Sequence, residues 1–298
     1  MKPLNAALPV QPVARNGATR SLYLFYERLA TLADQSLRLE IETWPKPGLV
    51  SHVDNGSHTD MDADTFRRSA TAIRPFFAEL AEAGARDAAM PALRKIGLRA
   101  ERAMLAATDG VNTHRGAIFG LGLLCAAGGA RAVGHADPTL TLGAVVARRW
   151  GKDILGGPRL PDSHGERAGR RYGAGGARRE AADGFPSVYE IGLPALREAG
   201  RFAPGDAEAQ RVQACFALIA AVEDTNLLHR GGPEGLRFAQ QSAGAFLNQG
   251  GVSRVNWRDA AAAVHHSFVT HQLSPGGAAD LLAMSVFVHA VERGKAMP

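Results

Sequence analysis

Apolar residues recur every three to four positions along nearly the whole chain, the spacing of helices that each bury one face. Leu22, Phe25, Leu29, Leu32 and Leu37 lay out a first helix. It should stop at Trp44-Pro45, because proline disfavours helical geometry in the residue before it. A second starts near Asp64 and carries Phe66, Ala70, Ile73, Phe77 and Leu80, with Pro75 expected to bend or break it. A third runs from about Asp87 to Thr108 through Met90, Leu93, Ile96, Ala100 and Met104. Asn112 or Thr113 can cap a fourth, glycine-rich helix through Ile118, Leu121 and Leu124. Further starts are Asp137-Pro138, the capping-box pattern Ser187-Val188-Tyr189-Glu190, Asp206, Asn256 and Ser274-Pro275. Period-two alternation is almost absent, and Gly48-Leu49-Val50 is too short to promise a sheet. The pattern predicts an all-α fold, with one compact domain of about ten helices over 19–298 behind a flexible tail over 1–18.

One segment breaks the periodicity. Residues 151–184 hold nine glycines, almost no aliphatic side chains, and Arg159, Arg167, Arg170, Arg171, Arg178 and Arg179. It reads either as a solvated mobile loop or as a lid closing over phosphates, since arginines and glycine amides both donate to anions.

Composition narrows the partners. The 298 residues are 46% hydrophobic and 21% charged, which excludes wholesale disorder. The net charge is +5, and only five of the 34 cations are lysine. An arginine excess suits phosphate and carboxylate oxygens. Two cysteines, Cys125 and Cys215, cannot build a disulfide framework, so a cytoplasmic chain is expected. The longest uncharged apolar run, 116–130, contains five glycines and falls short of the roughly 20 residues that span a bilayer.

The common catalytic signatures are missing. There is no G-x-x-x-x-G-K-[ST], H-E-x-x-H or G-x-S-x-G, and Asp60, Asp62 and Asp64 lack the glycine and distal glutamate of an EF-hand loop. What remains is polar chemistry at helix edges. The first group is Pro45-Lys46-Pro47, then His58, Asp60 and Asp62, where the acids either ligate Mg²⁺ or cap a helix. The second is Glu101 with Asn112-Thr113-His114-Arg115, an anion site if the following helix opens there. The third, Asp224-Thr225-Asn226 through His229-Arg230, should close a long apolar helix. The fourth is Ser274-Pro275-Gly276-Gly277, with Asp280 near the mouth of its helix.

These segments resemble the triphosphoribosyl-dephospho-CoA synthase family. The likeness lies in Pro45-Lys46-Pro47-Gly48-Leu49-Val50, Gly56 to Met61, Val111 to Phe119, Gly184-Phe185-Pro186, Asp224-Thr225-Asn226 and Ser274 to Leu282, in that order. Family members often carry lysine where this chain has Arg115. The resemblance implies an all-helical pentosyltransferase that takes ATP and 3′-dephospho-CoA, joins ribose C1 to the 2′-hydroxyl and releases adenine. The product is a prosthetic-group precursor, passed to a transferase that modifies an acyl carrier protein subunit of malonate decarboxylase or citrate lyase. Ser51 to Gly56 resembles the malonate branch more closely.

Such chemistry needs a proton for adenine, a base for the hydroxyl, and support for positive charge at C1. On this basis Glu101 or His58 is the expected base and His114 the donor toward adenine. Asp60, Asp62 and Asp224 are expected to hold Mg²⁺, and Lys46 and Arg115 to contact the triphosphate. Asn112, Thr113, Asn226, Ser274, Gly276 and Gly277 complete the substrate site, with Arg178 and Arg179 over the second nucleotide. No membrane or nucleic acid is expected, and a homo-oligomer is left open. Two alternatives stand beside this: a hydrolase using water as acceptor, and a helical RNA-binding module using the Arg/Gly segment. Against the latter, Tyr172 is the sole aromatic in that segment, which leaves little base stacking.

Overall fold

A computed structural model describes residues 17–158 and 164–293. Among them are twelve α-helices and no strand. In chain order these are α1 (Gly17–Ile41), α2 (Ala63–Ala85), α3 (Met90–Ala107), α4 (Arg115–Ala132), α5 (Leu142–Gly156) and α6 (His164–Tyr172). There follow α7 (Gly176–Ala182), α8 (Leu193–Phe202), α9 (Ala207–Ala221), α10 (Thr225–Asn248), α11 (Trp257–Thr270) and α12 (Gly276–Glu292). The all-helical expectation holds. The proposed tail lies almost wholly outside the described residues.

Three local expectations are corrected and one is narrowed. Pro75 sits inside α2 and does not break it, with Ile73 and Phe77 on either side buried in the core. Asp137 makes a turn rather than a helix start: its carboxylate accepts from the Thr139 amide and hydroxyl, and α5 begins later under a Thr141 cap. Ser187 makes no capping box. Its amide and hydroxyl donate to Glu180, seven residues back, and a π-helical turn covers Ser187–Gly192. The 151–184 segment is not a loop throughout, because the last turn of α5, α6 and α7 occupy most of it. Helices this short and this polar carry no apolar stripe for periodicity to find.

The core runs continuously from Tyr26 in α1 to Val288 in α12. At its centre α2 and α4 touch backbone to backbone. A Cβ on Gly84 would lie 1.9 Å from the Ala126 carbonyl oxygen, and one on Gly129 would lie 1.8 Å from that of Ala81. The glycines of α4 therefore let it enter the core as a bare rod, buried on almost every side.

Gly129→Ala should cost about 1–3 kcal/mol through overpacking. Gly97→Ala, in α3 with nothing within 4 Å of its Cβ, should instead stabilise by about 0.5–1 kcal/mol. Urea midpoints of the two variants moving in the same direction would contradict this packing.

Candidate active site

The chain between α1 and α2 has no regular structure, yet residues 45–51 are buried. A buried loop must find partners for its backbone and its charge. Lys46, flanked by Pro45 and Pro47, is 0% exposed and its ammonium pairs with the buried Glu40 carboxylate. Its carbonyl accepts from His265 Nδ1 at 2.6 Å, and His265 Nε2 lies 3.1 Å from Asp54. Gly48, at φ +66°, turns where a Cβ would meet the Leu273 carbonyl oxygen at 2.0 Å. The Ser57 hydroxyl donates to that same oxygen at 2.7 Å. His58 follows, with Nε2 2.9 Å from the Ser274 hydroxyl and Nδ1 3.4 Å from Asp60. Burial and the Arg230 guanidinium hold the His58 pKa below its ordinary value, and Asp60 opposes them.

Three helices start against this loop and one another. Asp224 was expected at the closing end of a helix, but it caps the start of α10. Its Oδ1 accepts from the Asn226 amide at 2.7 Å, and its Oδ2 from the Ala278 amide of α12 at 2.9 Å. One carboxylate thus serves two helix N-termini, where negative charge is favoured. Burial raises the Asp224 pKa, and the amides of Ala278, Asn226, Leu227 and Gly277 oppose that rise. Gly276 and Gly277 give the room, since Cβ atoms there would meet Asn226 Nδ2 at 2.9 Å and Asp224 Oδ2 at 3.0 Å. The first turn of α4 abuts α12 in the same way: a Cβ on Gly116 would stand 2.0 Å from Asp280 Oδ2. The Asp280 pKa lies well above the ordinary carboxylate range, through burial first, then the nearby charges of Glu40 and Asp224.

His114, just before α4, is buried between Ser69 and Phe66. Its Nδ1 is 2.6 Å from the Ser69 hydroxyl, which accepts from Thr113 Oγ1 at 2.7 Å. The other ring nitrogen, Nε2, is buried without a hydrogen-bond partner among the described residues. Burial and the Lys46 charge push the His114 pKa down to about 3, so the ring is neutral.

The expected site residues therefore divide. His58, His114, Thr113, Asn226, Ser274, Gly276 and Gly277 are gathered around the starts of α4 and α12. Asn112 caps the Arg115 amide, and the Arg115 side chain pairs with Glu101 at 3.1 Å. Lys46 is sealed from any phosphate. Asp62 is an N-cap, with Oδ1 taken by the Thr65 amide and hydroxyl. Asp60 faces His58, and both oxygens of Asp224 are held by amides. Among the described residues no three acidic, histidine or cysteine groups converge on a point that could hold a metal, so the expected triad of aspartates is not assembled. Arg178 donates to the Ile154, Leu155, Gly157 and Pro158 carbonyls, tying α7 to the end of α5, and Arg179 pairs with Asp183. Both therefore have protein partners in this structure.

Sequence reasoning missed Glu40, Ser69 and His265, which lie outside any short motif; Asp54, Asp280 and Arg230 were in view without a role. A Glu on the apolar side of an amphipathic helix was the available sign for Glu40.

Convergent helix starts, buried carboxyls and a neutral histidine make a polar centre whose groups suit binding and proton transfer on a polar substrate. The ATP:dephospho-CoA triphosphoribosyl transferase (CitG) description matches residues 26–298, and the chain belongs to that family. A Pseudomonas fluorescens protein called a probable 2-(5''-triphosphoribosyl)-3'-dephosphocoenzyme-A synthase is 42% identical over 272 residues, 90% of this chain and 92% of that one. An equally named protein of Acinetobacter calcoaceticus is 38% identical over 267 residues, covering 89% and 91%. No solved structure matches. The chain is thus an ATP:dephospho-CoA triphosphoribosyl transferase.

His114 links this cleft to acid stability. Its pKa is depressed from the ordinary value of about 6.5 in the unfolded chain, so its contribution is complete above pH 6.5 and is lost as pH falls toward about 3. Over that window it should remove about 1.4 kcal/mol per pH unit. His114→Gln should flatten the slope of denaturant stability against pH. Parallel slopes for the two proteins would contradict the buried neutral ring.

Proposed function

We propose that the cleft between the first turns of α4, α10 and α12 holds the ATP ribose against the 2′-hydroxyl of 3′-dephospho-CoA. The C1–O bond forms there as the C1–N9 bond to adenine breaks, and the triphosphate stays whole. One observation carries this placement. The segments that bear the family likeness, far apart in sequence, pack directly on one another: Ser57 and His58 on Leu273 and Ser274, Gly116 on Asp280, Asp224 on Ala278.

His58 acts as the base. Its lowered pKa keeps it neutral near pH 7, and Asp60 beside Nδ1 orients the ring, the arrangement of a base steadied by a carboxylate. Asp60 is therefore a positioning group in this scheme. Glu101 steadies Arg115 at the rim, where the guanidinium meets phosphate oxygens. Asn112, Thr113, Asn226, Ser274 and the Gly276-Gly277 backbone line the substrate path. His114, neutral and buried, steadies the start of α4 through Ser69 and Thr113. Magnesium arrives as the counter-ion of ATP, for which phosphate oxygens and water supply most ligands. The two cysteines are free and buried, which suits the cytoplasm. The product passes to a transferase that loads an acyl carrier subunit of malonate decarboxylase.

The deciding experiment measures adenine release from MgATP with and without 3′-dephospho-CoA, and the mass of the coupled product. Release only with both substrates, and a product retaining three phosphates, is expected. Release without dephospho-CoA would mean a hydrolase; none at all would remove the assignment. Since His58 works unprotonated, kcat/KM should fall on the acid side with a midpoint below about 6.5. His58→Gln should lose 10²–10⁴-fold in turnover, as expected for loss of a general base, together with that acid limb. A variant keeping the limb would clear His58 of the role.

A further inference from the structure

Adenine is a poor leaving group unless a ring nitrogen gains a proton as the glycosidic bond breaks. Few groups in the cleft can supply it. His114 is neutral and buried, so it is no imidazolium acid. His58 is committed as the base. Glu101 is ion-paired with Arg115, and Lys46 is sealed against Glu40. Asp224 receives backbone amides at both oxygens.

Asp280 differs from all of these. Among the described residues no Lys, Arg or His forms an ion pair with it. Its surroundings are carboxylates, Glu40 from the end of α1 and Asp224 from the start of α10, with the Ala117 amide its one opposing contact. Crowded carboxyls cannot all ionise, and the one without a cation or a full set of amide donors keeps its proton. Asp280 is not sealed, since it retains partial exposure, as do Gly116 against it and Gly276 and Gly277 a turn earlier on its helix. The glycine at 116 leaves the space that Oδ2 fills. Ser274, which holds His58, lies just before the helix that carries Asp280.

We propose that Asp280 is the catalytic acid that protonates adenine as it departs, on the reading of the cleft given above. The 2′-hydroxyl oxygen bonds to C1 while its proton passes to His58 Nε2, which exchanges its contact with the Ser274 hydroxyl for one with the substrate hydroxyl. The C1–N9 electron pair goes to the purine, which takes the Asp280 proton and leaves as neutral adenine. Asp280 is left as carboxylate and His58 as imidazolium, and proton exchange with water restores both.

The test compares wild type with Asp280→Asn on ATP and on N7-methyl-ATP, each with 3′-dephospho-CoA. The methylated purine is cationic and leaves without a proton. Asparagine keeps the shape and can still accept from Ala117, and thermal melting checks the fold. With ATP the variant should lose 10²–10⁴-fold in kcat, with little change in KM. With N7-methyl-ATP it should turn over like wild type. Unimpaired turnover of ATP by the variant, or an equal loss on both substrates, would overturn Asp280 alone. Wild type that releases no purine from either substrate would overturn the assignment of the cleft, and this proposal with it.

Discussion

Lys46 carries its ammonium into the interior, and the placement of the cleft follows from how that charge is accommodated. An ammonium with no exposure cannot remain ionised alone, so Glu40 at the end of α1 must come with it. Removing either partner of such a pair typically costs about 3–5 kcal/mol, because the other is left buried and unpaired. The pair ties a loop without regular structure to the last turn of a 25-residue helix. From that anchor the chain is held at each following step: His265 on the Lys46 carbonyl, Gly48 and Ser57 on Leu273, His58 on Ser274. A segment that would otherwise lie on the surface becomes a wall of the cleft.

The opposite wall depends on helix starts. Each start leaves amides without partners and a partial positive charge. Asp224 answers that need for α10 and α12 together, and Asp280 approaches the first turn of α4 through the Ala117 amide. Closeness is possible only because glycine stands at 116, 276 and 277, where any side chain would collide with a carboxyl or amide group. The glycines of the motifs are therefore contact points between motifs, which explains why segments 45–60, 112–119, 224–226 and 274–282 depend on one another.

Much of the helical plan was legible because it rests on local rules. Asp206 caps α9 as its position before an apolar run suggests, and α3 begins within three residues of its expected start. Other features depended on partners distant in the chain. Asp224 follows an apolar helix and so resembles a closing residue; only Ala278, 54 positions away, reveals it as a shared cap. Lys46 in a proline-stiffened turn looks presented to solvent until Glu40 is seen beneath it. Arg178 reads as a phosphate donor in a glycine-rich stretch, while the carbonyls it satisfies lie 20 to 24 residues earlier. Local chemistry announced which residue types mattered; long-range pairing decided what each one does.

The distribution of charge bears on why a triphosphate would survive a reaction at the ribose. Attack at phosphorus is promoted by cations set directly against the reacting oxygens. Around Asp280 the buried Lys46 is paired with Glu40, and the neighbouring titratable groups are carboxyls and the neutral His114 ring, while the Arg230 guanidinium stands beside His58. Carboxyl groups suit the positive charge that develops at C1 as adenine departs better than they suit polyphosphate. Arg115 stands at the rim, paired with Glu101, where it can grip phosphate oxygens away from the reacting carbon. A nucleotide bound with its phosphates outward and its ribose inward would meet each part of the field that suits it.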